Sequence, residues 1–200
     1  MSGTAIILAG GHSRRMGRSK AALPFGDEPL LRRLVRIYRG WFDEVLVAAA
    51  PGQELPETFA PVVLDAEPDR GPLAGICAGL RAARLEACFV TSCDHPFPDR
   101  RVVEALMAGL GTADVCVARW EGQLQPIFAG YRRSLAGLCE AQLAAGELRP
   151  VRLFDQVRTR ILEPEEITAL DPEGLSMLDV NDPEGYRHSL DLLARLGGVQ

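Results

Sequence analysis

One pattern constrains this chain more than any other. Short, wholly apolar runs stop at glycine, proline or aspartate, and longer segments with helical spacing lie between them. Ala5 to Leu8 is the first such run, closed by Gly10-Gly11. A run with no polar face suits a strand buried on both sides. "EVLVAAAPG" from Glu44, "PVVLD" ending on Asp65 and "CFVTSCDHP" from Cys88 repeat the design. Between them, "EPLLRRLVRIYRGWF" puts Leu30, Leu34, Ile37 or Tyr38 and Trp41 on one helical face. Arg32, Arg33, Arg36 and Arg39 are then expected on a solvated opposite face. "PLAGICAGLRAARLEA" follows a Gly71-Pro72 turn, with Pro72 suited to a first helical turn.

The second half continues the alternation. "DRRVVEALMAGL", "RSLAGLCEAQLAAG" and "DPEGYRHSLDLLARL" are predicted helices, the first and last capped by Asp99 and Asp182. "DVCVARW" and "QPIFAGY" are predicted strands close enough to pair, and "RTRILEP" and "LSMLDVN" short late strands. Such alternation predicts an α/β fold with a mainly parallel sheet covered on both faces. Ligands of such sheets bind beyond the carboxyl ends of the strands, where strand order reverses. If the first and fourth strands are neighbours, Gly10-Gly11 and Asp94 face one crevice.

The 200 residues, 47% hydrophobic and 24% charged, are expected to form one domain over residues 1–200. A formal net charge of −5 argues against a general nucleic-acid binder. No run approaches the roughly 20 apolar residues needed to span a bilayer, and no charged leader precedes an apolar run. A cytoplasmic protein with neither nucleic-acid nor membrane partners is expected. The five cysteines (77, 88, 93, 116 and 139) are an odd number without a C-x-x-C pair, which predicts reduced, structural thiols.

Three anion-binding designs compete for the loop after the first strand. A P-loop requires lysine directly after its second glycine, whereas Lys20 lies three beyond Gly17. The dinucleotide fingerprint G-x-G-x-x-G fails because His12 and Ser13 fill positions it needs. What remains is a glycine-rich turn whose backbone N–H groups can ring an anion, with Arg15 and Lys20 supplying charge. The alternative is a solvated basic loop.

"LAGGHSRRMGRSK" (Leu8 to Lys20) resembles the signature of the nucleotidyltransferases that modify molybdopterin. "GPLAGI", "CDHP", "QPIFAGY" and "DVNDPE" follow in the order of that family, so the resemblance spans nearly the whole chain. It implies a Rossmann-like three-layer nucleotidyltransferase fold. It also implies transfer of GMP from GTP to the phosphate of molybdopterin, with release of pyrophosphate and help from Mg²⁺. Molybdoenzymes or their chaperones are implied as possible partners.

Carried over by motif, Leu8, Ala9, Gly10, Gly11, Lys20 and Asp65 bind nucleotide, and Asp94 binds nucleotide and Mg²⁺. Arg15 belongs on the triphosphate, so Arg15, Lys20 and Asp94 form the expected catalytic set. Gln125 and Pro126 are candidate substrate contacts. Asp179 and Asn181 flank Val180 and would share one strand face, either reaching the metal or capping the final helix. His95 is expected to be structural. Two positions depart from the family pattern: Ala48 stands where Asn is frequent, and Ser19 precedes Lys20 where Asp is frequent. A cytidylyltransferase on the same pterin is the first alternative, against which Gly10 and "GPLAG" argue. Another acceptor, or a non-catalytic nucleotide-binding adaptor, are the others.

No His-based dyad is needed. A phosphate monoester, with a second pKa near roughly 6, is already a nucleophile at neutral pH.

Overall fold

The computed structural model describes residues 1–10, 20–65 and 70–197. Its first strand, β1 (Thr4–Leu8), has every residue buried. Alternation along it divides the protein's interior. Ala5 and Ile7 point into one apolar cluster, and Ile6 and Leu8 into the other. A hairpin of β2 (Pro24–Phe25) and β3 (Glu28–Pro29) turns at Gly26, whose φ of 70° is the left-handed region. It leads directly into α1 (Leu30–Arg39), with Pro29 at the N-cap.

The chain then runs through β4 (Glu44–Ala49), β5 (Val62–Leu64), α2 (Gly71–Ala82), β6 (Ala87–Ser92) and α3 (Arg100–Gly109). The Asp99 side chain accepts from the Arg101 N–H and caps α3 as the sequence predicts. β7 (Val115–Trp120) and β8 (Gln123–Arg132) form an antiparallel hairpin. Glu121 (φ 48°) and Gly122 (φ 75°) make its two-residue turn, both left-handed as a primed turn requires. After α4 (Ala136–Ala144) come β9 (Thr159–Leu162), α5 (Pro164–Leu170) and α6 (Pro183–Arg195).

The strands form one seven-stranded sheet in the order β5-β4-β1-β6-β8-β7-β9. β8 alone runs against its neighbours β6 and β7, while the other pairings are parallel. α1, α3, α5 and α6 pack their apolar residues on one face, and α2 and α4 on the other. The fold is thus the expected three-layer α/β arrangement. β1 pairs with both β4 and β6, so the order reverses beside it. The five cysteines are buried and unpaired. Among the described residues no helix is long and apolar enough to cross a membrane.

Two expectations need correction, and one helix is added. "LSMLDVN" is not a strand: Leu175–Met177 is a 3-10 turn entered through left-handed Gly174. Asp171 accepts from the Ser176 N–H, and the Val180 N–H goes to the Asp94 carbonyl rather than to a ladder. Arg33 is not solvated. It is 3% exposed, with its guanidinium over the Phe25 ring, because the β2–β3 hairpin folds across that side of α1. Finally, α5 was unforeseen. Its capping box pairs Glu163 with Glu166, and Pro164 occupies its first turn.

Close approach of α2 to the sheet depends on its glycines. A Cβ at Gly79 would lie 2.3 Å from Ile6 Cγ2, and one at Gly75 would lie 3.1 Å from Leu8 Cδ2. Both strand residues belong to β1, so this contact sets how near the helix lies to the end of the central strand. Gly79→Ala is therefore expected to destabilise the protein by about 1–3 kcal/mol through overpacking. Urea denaturation monitored by far-UV circular dichroism checks it.

Candidate active site

A cleft of about 620 Å³ opens at the carboxyl ends of β4, β1 and β6. Its floor is built by the parallel ladder: the Ala9 N–H donates to Ala48 O (2.8 Å), and the Cys93 N–H donates to Leu8 O (3.0 Å). Pairing Leu8 with Ser92 carries Gly10 and Asp94 out of the sheet side by side. Among the described residues, a Cβ on Gly10 would meet Ala50 N at 3.7 Å and Gln53 Oε1 at 3.9 Å, which are ordinary contacts.

Gln53, which carries no sequence motif, fixes this corner. Its Nε2 donates to Ala9 O (2.6 Å) and its Oε1 accepts from Ala50 N–H (3.3 Å), stapling the end of β1 to the loop after β4. Arg70, Ser92 and Ile127 also line the cleft and were not foreseen. Arg70 sits at the start of α2 and donates to the Leu143 carbonyl.

Lys20 and Asp94 meet at one side of the cleft. Lys20 Nζ lies 3.0 Å from Asp94 Oδ2 and 2.8 Å from Asn181 Oδ1, and Asn181 Nδ2 donates to Asp179 Oδ2 at 2.5 Å. The Val180 N–H bonded to Asp94 O (2.9 Å) holds the 179–181 segment against β6. Neither Asp179 nor Asn181 caps the final helix, so the capping reading of these two residues falls. Asn181 reaches the Lys20–Asp94 pair, while Asp182 caps α6 by accepting from the Glu184 and Gly185 N–H groups.

Burial pushes the Asp94 carboxyl up, but His95, Lys20 and the Ser92 hydroxyl outweigh it and hold it below the ordinary value. Burial also lowers the His95 imidazole, against the pull of Asp94 and Asp179. His95 itself is 4% exposed and packs on Phe128, in line with a structural role.

Leu8, Gly10 and Asp65 line the cleft with Asp94, and Ala9 presents its carbonyl to Gln53. Ala48 lies in the floor. Gln125 and Pro126 are not in the lining; from that strand the cleft takes Ile127, and the Pro126 carbonyl is occupied by the Tyr131 hydroxyl (2.7 Å). Gly11 and Arg15 lie outside the described residues.

A hard divalent cation needs only one or two carboxylates, with water and phosphate completing its shell. Asp94 Oδ1 is buried without a hydrogen-bond partner among the described residues, and Asn181 Oδ1 lies nearby on Lys20, so the donor set fits such an ion. Among the described residues no three His, Cys, Asp or Glu gather as a closed transition-metal cage would require. Asp65 lines the cleft, and its Oδ1 is likewise buried and unpartnered among the described residues.

Comparisons with known proteins agree with this geometry. The family model described as the MobA-like NTP transferase domain matches residues 5–159. A protein of Carboxydothermus hydrogenoformans named "Probable molybdenum cofactor guanylyltransferase" is 33% identical over 195 residues, 96% of each chain. One of Pelotomaculum thermopropionicum with the same name is 33% identical over 183 residues, 92% of this chain and 89% of that one. Among solved structures, molybdopterin-guanine dinucleotide biosynthesis protein A from Archaeoglobus fulgidus superposes with a TM-score of 0.81. It covers 96% of this chain and 99% of its own at 20% identity, a likeness of fold.

The Asp65 carboxyl gives a pH test. Burial raises it to about 6, against about 3.9 in an unfolded chain. Between those values the folded protein keeps a proton that the unfolded chain has released. The associated stability is complete below about pH 4 and is lost as pH rises through about 6. Asp65→Asn should therefore melt at the wild-type temperature near about pH 4 and above it near about pH 7.5. Differential scanning calorimetry across that range checks the sign.

Proposed function

The chain belongs to the family of MobA-like NTP transferases, and on that premise we propose that it transfers GMP from GTP to the phosphate of molybdopterin. One observation carries the reading: Lys20 and Asp94 are in contact at the strand-order reversal, beside a cleft that Gly10 lines. The names of the two relatives, each similar along nearly its full length, support guanine as the base and the molybdenum cofactor as the acceptor.

The reaction is an in-line displacement. An oxygen of the acceptor phosphate forms a bond to the α-phosphorus of GTP, the bond from that phosphorus to the bridging oxygen breaks, and pyrophosphate leaves with the electron pair. No proton transfer is needed, because the acceptor is already anionic. The protein's work is to position groups and neutralise charge. Gly10, with its peptide set by Gln53 through Ala9, lets the nucleotide approach the backbone. Asp65, ionised above about pH 6, suits the adjacent N–H donors on the edge of guanine, since a carboxylate accepts two such bonds. Lys20 and Arg15 supply positive charge to the triphosphate.

Asp94, with Asn181 and behind it Asp179, would hold the divalent cation, Mg²⁺ in this reading. When bound, that ion supplies Lewis-acid neutralisation of phosphate charge. Asp94 is fit for the role at neutral pH because its carboxyl is held ionised. Molybdoenzymes or their chaperones would receive the product.

Two experiments test the proposal. GTP with Mg²⁺ should raise the melting temperature well above any rise with CTP or ATP; an equal or larger rise with CTP sinks the guanine assignment. Asp94→Ala should fold normally yet lose pyrophosphate release by at least about 100-fold, the scale on which lost electrostatic stabilisation acts. Pyrophosphate is measured with molybdopterin and GTP present, and near-normal turnover removes Asp94 from the mechanism.

A further inference from the structure

Lys20 stands where a metal ion would be expected. Its ammonium lies between two oxygens from distant parts of the chain, Asp94 Oδ2 at 3.0 Å and Asn181 Oδ1 at 2.8 Å. The pair is well shielded, with Lys20 and Asp94 side chains 16% and 15% exposed. Asn181 is oriented for this task, since its Nδ2 is spent on Asp179 and its oxygen is left to face the cation. The oxygens that suit a hard divalent ion are therefore already serving a monovalent one.

An ammonium and a divalent ion cannot share these two oxygens, because at such separations in a shielded pocket their repulsion is far larger than in water. Lysine can yield the position readily. Its charge rides on a flexible four-carbon stem, and here that stem rises from a three-residue 3-10 turn, Lys20–Ala22, at the rim. We propose that Lys20 and the divalent cation compete for one position between Asp94 and Asn181, so that a triphosphate opens it by drawing the ammonium away. This rests on the nucleotide and metal reading of Lys20 and Asp94 given above.

The consequence is ordered occupancy. Without nucleotide the lysine excludes the metal. With nucleotide, the ammonium moves to phosphate and the oxygens become available. Linkage requires the reciprocal effect, so the metal tightens nucleotide binding by the factor with which nucleotide tightens metal binding.

The test uses Mn²⁺ as probe, with free ion counted by electron paramagnetic resonance, with and without α,β-methylene-GTP. Without nucleotide, Lys20→Met should bind Mn²⁺ at least about 10-fold more tightly than wild type. Arg70→Met removes an equal charge from the cleft wall, where the guanidinium donates to the Leu143 carbonyl, and should change the affinity by less than about 3-fold, because charges that do not share the two oxygens are screened. Lys20→Gln should tighten binding in the same way and replaces Lys20→Met if that variant does not fold. The gain in Mn²⁺ affinity from the nucleotide should be smaller in the Lys20 variants than in wild type.

If the Lys20 variants match wild type while the analogue still tightens Mn²⁺ binding, competition is overturned and the metal reading stands. Equal tightening in Arg70→Met also overturns it, as a general field effect. If no form binds Mn²⁺ even with the analogue, and Asp94→Asn behaves as wild type, the metal reading falls and this inference with it.

Discussion

The structure depends on the burial of one strand from every side. β1 is paired along both edges, to β4 and β6, and packed on both faces, by α1 and its neighbours on one side and α2 on the other. Such a strand has nowhere to move. Only its carboxyl end is open, and there the backbone runs out of ladder partners. The N–H and carbonyl groups of the next residues must find others, and they do so in the adjoining strands and in Gln53. A strand held this firmly can place the residues at its end with the precision that positioning of reacting groups requires.

Charge is organised around the same point. The chain is acidic overall, yet Arg70 lines the cleft and Lys20 pairs with Asp94 beside it. The carboxylates divide by environment. Asp94 is held below its ordinary value by His95, the Lys20 ammonium and the Ser92 hydroxyl, whereas Asp65 is desolvated and raised. Two identical side chains near one cleft thereby acquire different chemistry, the separation expected where one serves a metal and the other a base.

The parts legible in the sequence are those fixed locally or by burial on two faces. β1, β4 and β6 announce themselves as apolar runs because neither face meets water, and Asp99 and Asp182 cap their helices by contacts only a few residues away. The resemblance in the first loop and the C-D-H-P segment led to Lys20 and Asp94. Other parts rest on distant partners that periodicity does not encode. The 175–181 segment looks like a strand, but its backbone is claimed by Asp94. Arg33 is polar by composition and buried by a hairpin that crosses it. Gln53 sits in an unremarkable polar loop, and only the fold reveals which carbonyl it holds. Two local signals were passed over: the Glu-Pro-Glu-Glu sequence that caps α5 and the Gly26-Asp27 turn of the β2–β3 hairpin.

The bond from Val180 to Asp94 and that from Asn181 to Lys20 also bear on when the site comes into being. Lys20 emerges early in synthesis and its partner Asn181 lies 161 residues later. Beyond it, the Tyr186 hydroxyl of α6 bonds the carbonyl of Pro24, closing the last helix onto the first hairpin. Domains generally fold as units, and contacts this far apart in the chain close only when the domain assembles. A chain cut before Val180 would lose both the N–H that holds the Asp94 carbonyl and the oxygen that faces Lys20, so the centre depends on the far end of the fold.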